Sequence, residues 1–254
     1  LARWALAAVA LCALWLCLDV AVLGRGDPSV LFLHGRRLSL PPELAESSRI
    51  VVEGYDGQFY RILAHDPWFE KGYAKYVDAP ALRARRILLP GLAWMLAGGR
   101  REWIDSAFVA LSLASVGLGV WALGGLAESW GRAPVWGLAF LAWPVTMLSL
   151  QRMLSDGLLA ALLVSALWCA RAGVGWGLYV SLTLAALCKE TGLLFIAGFA
   201  VAALLRRSWK EAAMVAATAI PFLAWAVYVA SKTAGDGFQL FSVVPFRGFA
   251  DRLF

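Results

Sequence analysis

The 254-residue chain is 61% hydrophobic and only 16% charged, with a mean hydropathy of +0.70, against about one quarter charged in soluble domains. Its formal net charge of +6 and pI near 9.4 would suit nucleic acid only if the basic residues formed a stripe. They are scattered between apolar runs, which excludes nucleic acid and favours lipid phosphates and anionic headgroups.

The charge is also unevenly placed: residues 25–86 carry 18 of the 40 Asp, Glu, Lys and Arg residues, and residues 106–205 carry seven. Charge gathered between apolar spans is the pattern of a membrane protein. The expected fold class is therefore all-α, a polytopic transmembrane helical bundle of about seven spans within one domain, 1–254. The sequence begins Leu-Ala-Arg-Trp without an initiator Met and ends at Phe254 without a polar tail, which fits a fragment.

In chain order, the run 4–24 is long enough to span, and no small-residue cleavage site follows it. It reads as the first membrane helix rather than a signal peptide. A long polar loop, 25–105, comes next. Its first part, 25–52, reads as irregular, with Asp27-Pro28 and Pro41-Pro42 as breakers. A short amphipathic helix is predicted to start near Asp56, with Phe59, Tyr60 and Leu63 at helical spacing. A second starts near Asp78 and carries Arg83, Arg85 and Arg86. Both suit the membrane surface.

The apolar stretch 87–98 is too short for comfortable spanning and contains Pro90 and Gly91, so it reads as re-entrant or interfacial. That choice sets the side of every later loop. Counting positive charges leaves five on each side, and the Arg206, Arg207 and Lys210 cluster leans towards the re-entrant arrangement. Further spans are expected at 106–127, 133–150, 157–172, 174–188, 191–205 and 212–231, with an interfacial segment at 233–254. Cys12, Cys17, Cys169 and Cys188 read as small buried hydrophobes. His34 and His65 lack metal-ligand spacing and read as loop residues.

Four groups of residues are able to carry chemistry. Asp56, flanked by Gly54 and Gly57 and near Tyr55, Phe59 and Tyr60, is either a helix cap or a base for an acceptor hydroxyl. Asp156, in Arg152-Met-Leu-Ser-Asp-Gly, is a cap or a supporting acid. Lys189 and Glu190 are a self-satisfied ion pair or part of a site. Arg85 or Arg86 matches phosphate oxygens with its guanidinium fork, and Lys189 is a second phosphate partner. The three acids fall on one side only if 87–98 does not span. They are able to offer oxygen ligands to a divalent cation, but no ligand cluster at fixed spacing is present.

The run Tyr55-Asp56-Gly57-Gln58-Phe59-Tyr60-x-x-Leu63-Ala64 resembles the first-loop motif of GT-C superfamily glycosyltransferases, an aromatic–Asp–x–x–aromatic–Tyr pattern after the first membrane helix. Arg85-Arg86-Ile87-Leu88-Leu89-Pro90 and Lys189-Glu190-Thr191-Gly192 resemble motifs of its bacterial members. The resemblance implies an inverting hexosyltransferase of mannosyltransferase type at the extracytoplasmic face of the bacterial inner (cytoplasmic) membrane. Its donor would be a polyprenyl-phosphate-linked sugar and its acceptor a glycan, lipid or protein hydroxyl. It further implies Asp56 at the catalytic acidic position, as general base, supported by Asp156 and Glu190. Tyr55, Gln58, Tyr60, Arg85, Arg86, Arg152 and Lys189 would bind substrate. A transporter or lipid flippase would be expected to show repeated halves meeting at mid-membrane, and no repeat is found. A non-catalytic membrane subunit of a cell-envelope glycopolymer assembly is the third reading.

Overall fold

The structure, a computed structural model, describes residues 1–46, 48 and 50–233. The interfacial segment expected at 233–254 lies, from residue 234 onward, outside the described residues. The described part is almost wholly helical. Three stretches are long and apolar enough to cross a membrane: Ala2–Val22, Arg101–Ser129 and Trp209–Lys232. They mark an integral membrane protein. The first is α1 (Ala2–Val22), and most of its large side chains, Leu6, Leu11, Leu14, Leu18 and Val22 among them, are exposed. An apolar helix bare on most sides is stable where lipid replaces water.

The polar loop contains more order than its composition suggests. A two-residue parallel ladder pairs β1 (His34–Gly35) with β2 (Ile50–Val51). A 3₁₀ turn, Pro28–Phe32, is started by Asp27, whose Oδ1 accepts from the Ser29 amide at 2.8 Å. Short helices α2 (Pro42–Ala45), α3 (Gly57–His65) and α4 (Pro80–Arg83) follow. Helix α3 starts where the sequence places it, yet it does not lie along a surface. All nine of its residues are buried, enclosed by the preceding loop and by helices α5 (Leu88–Leu96) and α6 (Arg101–Ser129).

Helix α5 has nine residues, about 14 Å at 1.5 Å per residue, less than half of a hydrocarbon core of about 30 Å. A tight turn at Gly98 and Gly99, both at positive φ, leads into α6. Helices α1 and α6 are antiparallel. A β-carbon on Gly124 would meet Leu1, and one on Gly117 would meet Val9. The same register aligns Leu16 with Ala110 and Val20 with Ser106 along one groove. The chain therefore leaves α1 and enters α6 at the same end, called the loop end below. The segment 87–98 thus does not carry the chain from one end of the bundle to the other.

The span expected at 133–150 is not one helix. It is a 3₁₀ segment, Pro134–Ala142, followed by α7 (Pro144–Gln151). Pro144 pushes Trp143 into an extended conformation, φ −72° and ψ 123°, and ends the first piece there. These pieces climb back along α6 to the loop end. Helix α8 (Asp156–Ala172) descends beside α6, with Trp168 edge-on to Trp121 at 4.4 Å between centroids. Helix α9 (Gly175–Cys188) returns, and its Cys188 Sγ donates to the Ser155 carbonyl at 3.2 Å. Helix α10 (Gly192–Leu205) descends again.

The stretch 212–231 forms α11 (Trp209–Ala217) and α12 (Ile220–Lys232), broken just ahead of Pro221. Helix α12 is tied to the loop. Trp225 Nε1 donates to the Ala84 carbonyl at 2.7 Å, and the Tyr228 hydroxyl donates to the Trp68 carbonyl at 2.9 Å. Of the cysteines, Cys12, Cys169 and Cys188 are buried as expected, whereas Cys17 is exposed on α1. It faces a groove between α1 and α6.

Gly137 shows how closely the returning 3₁₀ segment lies on α6. A β-carbon there would come within 2.3 Å of the Val120 carbonyl oxygen and 3.0 Å of the Gly124 amide. Neither is a flexible side chain, so backbone must move. Gly137→Ala should destabilise the protein by about 1–3 kcal/mol, the usual cost of overpacking. It would be read as a lowered midpoint of thermal unfolding in detergent.

Candidate active site at the loop end

The site begins with the way α3 is fixed. Arg61 and His65 are four residues apart and so share one face of α3. Both meet Asp105 in the first turns of α6. Arg61 Nε donates to Asp105 Oδ1 at 2.9 Å, its Nη2 donates to Oδ2 at 2.7 Å, and His65 Nε2 donates to Oδ1 at 3.0 Å. Arg61 is 1% exposed. Its Nη1 donates to Ser48 Oγ and, at 3.0 Å, to His34 Nε2. An arginine can only donate, so His34 accepts as a neutral imidazole with its proton on Nδ1. Burial, reinforced by the Arg61 charge, lowers the His34 pKa to about 3. His34 and His65 are thus core residues of a buried polar network and not free loop residues.

With α3 locked, its start faces the junction of α7 and α8. A β-carbon on Gly57 would lie 2.2 Å from the Arg152 carbonyl oxygen, so only glycine lets the Asp56 turn sit this close. The Arg152 guanidinium lies over the Tyr55 ring at 4.4 Å, a cation–π contact. Asp56 stands at the N-cap of α3 without using its side chain as a cap. Its Oδ2 is 2.9 Å from Arg83 Nη1, and its side chain is 45% exposed. Arg83 also holds Asp78 through Nε and Nη2, at 2.5 and 2.9 Å, and covers the Phe59 ring at 4.4 Å. Burial works against the charge of Arg83, but the two carboxylates outweigh it and raise its pKa.

The other two acids arrive at the same end. Asp156 opens α8 and pairs with Lys189 Nζ at 2.5 Å. Glu190 pairs with Arg86, whose Nη2 and Nε donate to Oε1 and Oε2 at 2.5 and 3.0 Å. Arg86 Nη1 also donates to the Tyr60 hydroxyl at 2.9 Å. Lys189 and Glu190 therefore do not neutralise each other; each reaches a partner on a different segment. Burial opposes ionisation of Glu190, yet the bonds from Arg86 prevail and lower its pKa. It is a carboxylate at neutral pH.

The remaining sequence candidates are placed differently. Gln58 is buried, and its Oε1 accepts from the Gly35 amide at 3.0 Å, so it ties α3 to β1 and does not face a ligand. Tyr60 is buried under Arg86. Arg85 is buried. Arg83, not among the phosphate ligands expected from the sequence, is the guanidinium that touches Asp56. No group of three or more His, Cys, Asp or Glu able to hold a metal occurs among the described residues. The acids are instead held by separate cations.

Such an arrangement presents two half-exposed carboxylates, Asp56 and Asp78, on either side of Arg83, with Asp156 and Glu190 more enclosed against Lys189 and Arg86. Asp105→Ala would leave Arg61 buried without its carboxylate. The loss should be about 3–5 kcal/mol, the range for breaking a buried pair from one side, seen as a large fall in the unfolding midpoint. His34 supplies a pH dependence of known sign. A depressed histidine pKa contributes stability that is complete above the unfolded value of about 6.5 and is lost as pH falls towards 3. His34→Gln, which keeps an acceptor for Arg61, should flatten the decline in unfolding midpoint between pH 6.5 and 4. Comparison with protein-family models, curated proteins and solved structures gives no match for this chain.

Proposed function

We propose that the chain is a GT-C-like glycosyltransferase that moves a sugar from a polyprenyl-phosphate donor to an acceptor hydroxyl. One observation carries this reading. Asp56, Asp156 and Glu190 come from three distant parts of the sequence and gather at one end of the bundle, each beside a cation. A bilayer-embedded donor would present its phosphate at such an edge. In this reading the serpentine path of α6 to α12 makes up the remainder of about seven membrane passes. The loop end faces outward from a bacterial inner membrane.

The chemistry follows from the placement. Asp56 Oδ1, which has no partner among the described residues, takes the proton of the acceptor hydroxyl. The acceptor oxygen bonds to the anomeric carbon as that carbon's bond to the phosphate oxygen breaks, and the lipid phosphate leaves with the electron pair. A single displacement inverts the anomeric centre. The leaving group gains charge, and the guanidinium and ammonium groups of Arg83, Arg86 and Lys189, already gathered at this end, stabilise it. Asp156 and Glu190 act by holding Lys189 and Arg86 in place. Tyr55 and Arg152, stacked beside Asp56, form the wall against which the acceptor sits.

Incubation of the purified protein with polyprenyl-phosphate-linked mannose and a hydroxyl acceptor should give transfer. Asp56→Asn should lower the rate by about 100-fold or more, the scale of losing a general base, with the unfolding midpoint unchanged. Full activity in that variant would remove Asp56 from the mechanism.

A further inference from the structure

Two cavities flank the first half of α6, and neither belongs to the site above. One, about 610 Å³, lies between α5 and α6 and includes Gly98, Arg100, Trp103 and Ala107 in its lining. The other, about 440 Å³, lies between α1 and α6 and includes Leu16, Cys17, Gly26 and Leu113. Ser106 and Ala110 line both, so the cavities are two troughs on either side of one low ridge. The trough between α1 and α6 is almost wholly apolar, whereas the one between α5 and α6 carries more polar surface and lies next to the exposed Met95 and Leu96 of α5.

The upper rim carries charge. Arg100 stands at the mouth of the first trough, and Arg25 precedes Gly26 at the mouth of the second. Both are exposed, and neither forms a salt bridge among the described residues. This contrasts with Arg61, Arg83 and Arg86, each of which is paired. Trp103, 57% exposed, sits at the same height, where indoles prefer the headgroup zone.

We infer that this double trough seats one anionic diacyl phospholipid, its phosphodiester on Arg100 and Arg25 and one acyl chain on each side of the Ser106–Ala110 ridge. Two troughs separated by a ridge match a ligand with two chains. A guanidinium fork without a carboxylate matches a phosphate. Small residues at 97, 98, 106, 107 and 110 leave the volume the chains fill.

Native mass spectrometry of the full chain in detergent tests this, with phosphatidylglycerol titrated against phosphatidylcholine of the same acyl chains. One phosphatidylglycerol should be retained in preference to phosphatidylcholine. Arg100→Ala should weaken its retention about fivefold, the share of one basic residue at an anionic surface. Ser106→Trp, at an exposed position on the ridge, should weaken it similarly by filling both troughs. Arg207→Ala, at the opposite end of the bundle, should leave it unchanged. Equal retention of both lipids, insensitivity to Arg100→Ala or to Ser106→Trp, or an equal effect of Arg207→Ala would each overturn the inference. None of these readouts depends on glycosyl transfer.

Discussion

The position of everything at the loop end depends on the contact between Arg61 and Asp105. It joins a helix of the polar loop to the first turn of a membrane helix, with both oxygens of the carboxylate engaged and a histidine completing the set. A buried guanidinium left alone would cost far more than the pair contributes. The fold is therefore committed to a single seating of α3 on α6. Ser48 and His34 extend the lock to the strand pair, and Gln58 ties the other side of α3 to Gly35. Loop, strand ladder and membrane helix are then one rigid platform under Asp56.

Around this platform, polar contacts reach across sequence where apolar packing cannot specify position. Lipid offers no water to drive helices together, so interhelical bonds and close backbone contacts set the arrangement. The Cys188 bond to the Ser155 carbonyl and the Lys189 pair with Asp156 bind the tops of α8 and α9. Arg86 and Glu190 bind α9 to the segment before α5. An aromatic group joins α12 to the same region: Trp225 and Trp94 stand edge-on to Trp68, at 5.7 and 6.1 Å.

Much of this was legible in the sequence. The first helix, the start of α3 and the bounds of α8 to α10 follow from apolar periodicity and from breakers. The gathering of Asp56, Asp156 and Glu190 follows once 87–98 is too short to cross. What periodicity could not show is pairing. Arg61 lies inside the conspicuous loop run but at an unremarked position, and Asp105 looks like an ordinary charge at the edge of a span. Their meeting is written only in the four-residue spacing of Arg61 and His65, which gives α3 a basic face in need of a carboxylate. The break of 133–150 had a local signal in Pro144. That Lys189 and Glu190 turn away from each other had none, because adjacent residues at a helix junction are free to diverge.

The distribution of charge at the loop end constrains what can bind there. Asp56, Asp78, Asp156 and Glu190 already occupy Arg83, Lys189 and Arg86. An incoming anion meets no cation among these three without a carboxylate beside it, so it either shares the remaining N–H donors or displaces a carboxylate already in place. Arg83 is where exchange is easiest, since it is shared between Asp56 and Asp78. An anion that takes up Arg83 uncouples Asp56 from its partner in the same event, so arrival of negative charge and release of the carboxylate are one step.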